Sequence, residues 1–133
     1  MRLEESNVTF INADIAKPWQ LEDTTLDLVV GNLVLEHIKD LSHVFREAFR
    51  ILQPGGKLYV AELHPYKQLQ QSQAKFVSQK TGEEILVDAF IHPVSEYINE
   101  ALTAGFMLCE IGEKQRKDEK IPRLLTLLFE KEA

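Results

Sequence analysis

The 133-residue chain has little glycine, and none of it is arranged as a nucleotide-binding turn. The six glycines are Gly31, Gly55, Gly56, Gly82, Gly105 and Gly112. None forms a Gly-x-Gly turn between a strand and a helix, and the sequence has no phosphate-cradling P-loop and no Gly-x-Ser-x-Gly elbow. The common signatures of dinucleotide binding, of nucleoside triphosphate binding and of serine hydrolases are therefore missing.

Cysteine and long apolar runs are also lacking. Cys109 is the only cysteine, so no internal disulfide can form, which fits a reducing compartment. The histidines have no cysteine at metal-binding spacing, so we expect no metal site. No stretch approaches the roughly 20 apolar residues that cross a bilayer, and the first residues lack the apolar core of a signal peptide. These absences predict a cytoplasmic protein.

The chain has fewer basic than acidic residues, 15 against 21. The formal net charge is -6 and the isoelectric point is near 5.2. Nucleic acids and anionic membranes reward basic patches, so we expect neither as the main partner and favour a small molecule. The length and the hydrophobic share of 44% are typical of one globular domain, which we place at residues 1–133.

Residues 26–56 form the unit around which the rest is organised. Residues 26–30, LDLVV, are a continuous apolar run of the kind found in parallel strands covered on both faces. A helix follows, because apolar residues recur at helical spacing, with Asp40 or Ser42 as its cap and Arg46, Glu47 and Arg50 facing water. Its buried stripe is Leu41, Val44, Phe45, Ala48, Phe49 and Leu52. Pro54, Gly55 and Gly56 then reverse the chain into a strand at 57–63, which completes a parallel crossover.

The flanking segments predict further elements. We expect a strand at 8–13, a hairpin whose strands at 74–78 and 85–90 are joined by a turn at 80–83, and a helix opening at His92 and Pro93 and ending at Gly105. The buried stripe of that helix is Val94, Tyr97, Ile98, Ala101 and Leu102. Apolar runs at 106–111 and 124–129, separated by a charged loop, predict an antiparallel closing hairpin.

Four stretches in this order and spacing resemble the S-adenosylmethionine-dependent methyltransferases with a Rossmann-like seven-stranded sheet, in their small-molecule branch. They are residues 10–14, FINAD; residues 26–30, LDLVV; residues 46–52, REAFRIL; and residues 53–58, QPGGKL. The resemblance implies an α/β fold: a partial Rossmann-like methyltransferase sheet, mostly parallel, with a C-terminal antiparallel hairpin. It also implies S-adenosylmethionine as cofactor and a small molecule as methyl acceptor.

The resemblance further implies where the cofactor would lie. Asp14 would hydrogen-bond the adenine amine and Ile15 would pack on the ring, although Asp14 can also simply cap the following turn. Asn32 and Leu33 would lie near the methionine portion.

Other polar residues are candidates for the acceptor side of such a site. His64, Tyr66 and His92 are candidate substrate contacts, because they fall at the expected ligand edge of the sheet. His37 is a candidate proton acceptor from a nucleophile, the alternative being a role in helix entry.

The sequence differs from the family pattern in one respect, which leaves two hypotheses open. The family's glycine-rich turn and its ribose-binding acid should lie before Asp14, where the sequence has no glycine. The chain is then either a small-molecule methyltransferase or a truncated, non-catalytic methyltransferase-like module. In the resembling fold, the first and second strands lie between the third and the fourth. Without them, residues 8–13 and 26–30 would flank a gap. Either these two strands pair directly, or the second of them takes a strand from another molecule. Since an open apolar edge is a template for pairing, we expect a homodimer.

Overall fold

The structure is a computed structural model and describes residues 7–71 and 89–133. The predicted hairpin, with its turn at 80–83, lies outside these residues except for positions 89 and 90, which have no regular structure. The strands are β1 (Leu26–Asn32), β2 (Leu52–Leu63), β3 (Met107–Lys114) and β4 (Leu124–Glu130). The helices are α1 (Leu41–Ile51), α2 (residues 65–71) and α3 (Val94–Ala104), with a short 3-10 helix at Leu35–His37.

The four strands form one mixed sheet in the order β1-β2-β4-β3. β1 pairs parallel with β2, and β4 pairs antiparallel with both β2 and β3. The α/β class, the parallel crossover and the antiparallel closing hairpin are thus confirmed. One consequence of this order is that β4 lies in the interior of the sheet, although it is the last described strand in the chain.

Helix α1 begins as its sequence predicts, but Leu52 of the predicted stripe lies outside it as the first residue of β2, which therefore begins before the predicted residue 57, and Phe49 is only partly buried. The Asp40 carboxylate accepts from the Ser42 amide at 3.1 Å, so Asp40 rather than Ser42 is the cap. This contact, with that of the Ser42 hydroxyl, lowers the pKa of Asp40. The inner face joins the core with β2, β4 and α3, and includes Leu41, Val44, Phe45, Ala48 and Ile51.

Helix α3 buries a narrower face than the sequence predicts. It begins at Val94 with Pro93 as its N-cap and ends at Gly105, as expected. Tyr97 and Ala101 are buried, but Leu102 is 46% exposed, so its predicted burial is wrong. The reason is that α3 packs on α1 along one side, and position 102 lies about 100° around the helix from Ala101.

The predicted strand at residues 8–13 does not form. These residues have no regular structure, and Val8, Phe10 and Ile11 are more than half exposed. A β-branched composition favours a strand only when a neighbouring strand accepts its hydrogen bonds, and in the described part of the chain this segment belongs to no strand pair. Of the two arrangements expected for the gap, direct strand pairing is therefore wrong, and within residues 7–71 and 89–133 β1 pairs with β2 alone.

None of the described helices is both long and apolar enough to cross a membrane.

Candidate cofactor and substrate site

The carboxyl end of β1 makes a strained turn. The Leu33 amide donates to the Ala61 carbonyl at 2.8 Å, which extends the pairing of β1 with β2 by one bond. Leu33 itself has φ 55°, a left-handed conformation that is uncommon for a branched side chain. Backbone strain of this kind concentrates at functional sites, and ligands of open α/β sheets bind beyond the carboxyl ends of the strands. The structure thus places Asn32 and Leu33 at the carboxyl end of β1, and their contact with a cofactor stays a prediction.

A buried carboxylate supports this turn from the neighbouring strand. Glu62, near the end of β2, is 1% exposed, and its two oxygens accept from the amides of Val34 and Leu35 at 3.1 and 3.0 Å. Burial raises the pKa of Glu62, against the opposing effect of these amides and that of Glu36. The N-cap residue of the 3-10 helix provides no side-chain cap, so Glu62 satisfies amides that would otherwise lack acceptors.

Asp14 and Ile15 lie in the loop before β1. One Asp14 oxygen accepts from the Ala16 amide at 2.9 Å, so the turn-capping role considered for Asp14 is present. Ile15 lines an apolar cavity of about 150 Å³ with Trp19, Val29 and Val34. This cavity reaches the strained turn through Val34, so the loop of Asp14 and the end of β1 share one concave surface.

A clamp that the sequence did not reveal holds this loop on α1. Arg50 donates to the Asp23 and Glu47 carboxylates at 2.7 Å each and to the Trp19 carbonyl at 3.0 Å. Glu47 also accepts from the Trp19 amide, and its contact with Arg50 lowers its pKa. The prediction that Arg46, Glu47 and Arg50 all face water is therefore wrong for the last two, whose side chains are partly buried.

His37 ends the 3-10 helix, and its side chain is 47% exposed. Its Nε2 lies 3.5 Å from the Glu36 carboxylate. It also borders a polar concavity that includes Lys39, His43 and Arg46. This position allows both the proposed proton transfer and the simpler role in helix entry.

His64 and Tyr66 follow β2 directly. His64 is fully buried: its Nδ1 accepts from the Tyr66 amide at 3.1 Å, and its Nε2 contacts the Glu113 carboxylate. Both ring nitrogens are thus committed to the protein, whereas the Tyr66 side chain lies at the surface. Of these two substrate candidates, only Tyr66 has a side chain that can reach a ligand without a local rearrangement.

His92 fixes the start of α3 against the 3-10 helix. Its Nε2 contacts the Ile38 carbonyl at 2.7 Å and its Nδ1 contacts Glu96 at 2.6 Å. The Phe90 amide donates to the Glu36 carbonyl at 2.6 Å, which joins the same two segments. The structure therefore brings His92 next to the turn that follows β1, although His92 is itself buried.

The residues present fit S-adenosylmethionine in part. Ile15, Gly31 and Val34 line one apolar concavity, which is suited to an apolar ring or a thioether chain, and Asp14, Asn32 and Leu33 are their neighbours in the chain. The sequence has no glycine before Gly31 and so offers no glycine-rich turn for the methionine carboxylate. Among residues 7–71 and 89–133, no three histidine, cysteine or carboxylate side chains are grouped to hold a metal ion.

Several solved structures with the same architecture are S-adenosylmethionine-dependent methyltransferases. A putative enzyme of this class from Listeria monocytogenes matches with a TM-score of 0.76 and 14% identity, over 98% of this chain and 73% of that one. An enzyme from Mesorhizobium loti matches with a TM-score of 0.72 and 17% identity, over 95% and 71%. At these identities the likeness defines the fold, which is that of the S-adenosylmethionine-dependent methyltransferases.

Sequence comparison leads to the same class. The sequence profile of the methyltransferase domain family matches residues 1–60. An uncharacterized methyltransferase of Emericella nidulans is 34% identical over 91 residues, which cover 68% of this chain and 31% of that protein. The first 60 residues of the chain therefore match the methyltransferase domain family.

Relatives with named functions cover smaller parts of their own length. The human arsenite methyltransferase is 36% identical over 63 residues, 46% of this chain and 17% of that protein. The ubiquinone/menaquinone biosynthesis C-methyltransferase of Pasteurella multocida is 27% identical over 116 residues, 75% and 43%. In each of these three curated relatives, the chain spans less than half of the relative's length.

Proposed function

We propose that this chain carries part of the active site of a small-molecule methyltransferase that uses S-adenosylmethionine. The observation that carries the proposal is the strained turn at Leu33, held at the carboxyl edge of the sheet beside the loop of Asp14 and Ile15. Relatives that act on arsenite or in quinone biosynthesis support a small acceptor. When bound, the cofactor supplies an activated methyl group, and methyl transfer needs chiefly alignment with a nucleophile and exclusion of water.

The residues of this chain would have separate roles in such a site. Asp14 and Ile15 would hold the adenine, and Asn32 and Leu33 would border the methionine portion. His37 would accept a proton from the nucleophile, since its side chain is half exposed at the same edge. Substrate contact would come from Tyr66 at the surface, with His64 and His92 reached only if neighbouring segments move.

The alternative function is that of a truncated, non-catalytic methyltransferase-like module that self-associates. The absence of a Gly-x-Gly turn favours it, because the cofactor's carboxylate then lacks its backbone donors. In either case we propose a single domain over residues 1–133 in the cytoplasm. We propose no nucleic acid and no membrane as partner, in keeping with the net charge of -6.

Cofactor binding by the chain alone is expected to be weaker than micromolar. The loop of Asp14 and the turn at Leu33 can contact adenine and the thioether chain, but no glycine turn is present to bind the carboxylate. Titration calorimetry with S-adenosylmethionine and S-adenosylhomocysteine measures this directly. A dissociation constant in the micromolar range or below would contradict the expectation and would favour the active enzyme over the truncated module.

We also propose that the chain forms a homodimer through the open edge of β1. Leu28 and Val30 are 55% and 58% exposed, although both lie in a strand of the sheet. An unpaired edge that carries branched apolar side chains pairs readily with a second strand, and this strand has no lysine or proline to prevent it. Antiparallel pairing of β1 with β1 of a second copy would cover both side chains.

Val30→Lys is expected to abolish the dimer while leaving the fold intact, because Val30 is exposed and a lysine on an edge strand opposes pairing. Light scattering on a sizing column reports the mass, and circular dichroism reports the fold. Ile111→Lys, on the β3 edge at the other side of the sheet, is the matched control and should leave the dimer unchanged. A wild-type chain that is folded and monomeric at tens of micromolar would refute the dimer.

A further inference from the structure

We infer that Glu62 is a positioning residue that holds Asn32 and Leu33 in place for the cofactor through the backbone of the turn that follows β1. The inference rests on the proposed function of that turn and adds to it a residue from the neighbouring strand. Glu62 is almost fully buried, so it would act on a bound molecule through the turn rather than by direct contact.

The geometry of the contact requires a carboxylate. Each Glu62 oxygen accepts from a different amide, that of Val34 on one side and that of Leu35 on the other. A glutamine has the same length but only one acceptor oxygen, so its amide nitrogen would face an amide that also donates. An apolar side chain would leave both buried amides without acceptors.

The turn needs this support because it is strained. Leu33 has φ 55° and immediately precedes the two amides that Glu62 binds. A conformation of this kind persists only when the surrounding structure holds it. On the other side, the Leu33 amide is tied to Ala61, the residue before Glu62. Two consecutive residues of β2 therefore fix the turn on both sides of its strained position.

Among the described residues, no positively charged group contributes to the pKa of Glu62. Burial raises that pKa and the Glu36 carboxylate of the 3-10 helix raises it further, while burial of Tyr97 with the nearby charge of Glu62 raises the pKa of that phenol. Within the described part of the chain, the Tyr97 hydroxyl has no hydrogen-bond partner. His92, which contacts the Tyr97 ring, is directed to Ile38 and Glu96. The backbone amides of Val34, Leu35 and Glu36 therefore stabilise the charged form of the Glu62 carboxylate.

Hydrogen exchange followed by NMR tests the positioning role in the whole chain. In Glu62→Gln we expect the Val34 and Leu35 amides to lose about tenfold or more of their protection, as expected for loss of a hydrogen bond to a charged group. The Leu127 amide, in the interior strand β4, should keep its protection. Glu47→Gln is the matched control, because Glu47 also accepts from a backbone amide, that of Trp19, away from this turn. Unchanged protection of Val34 and Leu35 in Glu62→Gln would overturn the inference.

A second measurement connects the turn to the ligand. S-adenosylhomocysteine at millimolar concentration should shift the Asn32 and Leu33 amide signals of the wild type, and Glu62→Gln should bind about tenfold more weakly than the wild type. Equal affinities would show that Glu62 supports the turn without serving the ligand, and would also overturn the inference. No shift in the wild type would refute the proposed function, whereas the exchange result would still decide whether Glu62 holds the turn.

Discussion

Phe45→Ala is expected to lower the free energy of unfolding by about 3–5 kcal/mol, the usual cost of removing a fully buried phenylalanine ring. Phe45 projects from α1 and is fully buried, with its ring edge-on to Phe129 of β4 at 5.9 Å. It also borders the apolar cavity behind β1, so the space left by the ring would join an existing one. Since domains of this size have a total stability of about 5–15 kcal/mol, the variant should be close to unfolding.

Phe10→Ala is the matched control for this prediction. Phe10 lies in the loop before β1 and is 74% exposed, so the same truncation removes almost no packing. We expect a change within about 0.5 kcal/mol, as for most surface substitutions. Urea denaturation followed by circular dichroism gives both values. Similar midpoints for the two variants would mean that Phe45 does not occupy the core in solution.

Gly56→Ala is expected to destabilise the protein by about 2–3 kcal/mol, because overpacking against backbone forces the chain to move. A Cβ at Gly56 would lie 2.8 Å from the Gln53 carbonyl oxygen and 3.2 Å from that of Asp27. Both are backbone atoms, and Asp27 belongs to β1. Relief of the clash would therefore separate the two parallel strands at the point where their pairing begins.

Alanine at two other glycines, Gly55 and Gly31, should destabilise the protein less than alanine at Gly56. Gly55 has φ 85° with open space around it, so Gly55→Ala should cost only the conformational penalty of about 1 kcal/mol. Gly31 has ordinary φ and no atom near a Cβ, so Gly31→Ala should change stability little. Thermal unfolding of the three variants tests the order. Unchanged melting temperatures for both Gly55→Ala and Gly56→Ala would contradict the structural role of this turn.

Elements specified by their own residues were predictable from the sequence. The stripe of α1 from Leu41 to Ala48, the Asp40 cap and the stop at Gly105 depend on local spacing and backbone preference, and the structure has all of them. The strand at 8–13 failed because a strand depends on its neighbour, which composition does not reveal. Burial of Leu102 failed for a related reason, since the width of a buried stripe depends on what packs against the helix.

Of the candidate site, only the residues that local sequence identifies were predictable. The ends of strands identified Asn32 and Leu33, because ligand edges follow from parallel topology. Glu62 and the Arg50 clamp were missed, since each acts on residues 27 or more positions away. A charged residue inside an apolar strand was the available signal for Glu62: the sequence YVAEL places it where a buried carboxylate needs local donors.

The interior position of β4 affects how the chain folds during synthesis. β2 pairs with β4 from Lys57↔Glu130 to Leu63↔Leu124, so the partners are 61 to 73 residues apart in sequence. A nascent chain that has already formed β1, α1 and β2 therefore exposes one side of β2 until the ribosome has delivered β4. Long-range pairings of this kind slow folding, and unpaired edges invite aggregation.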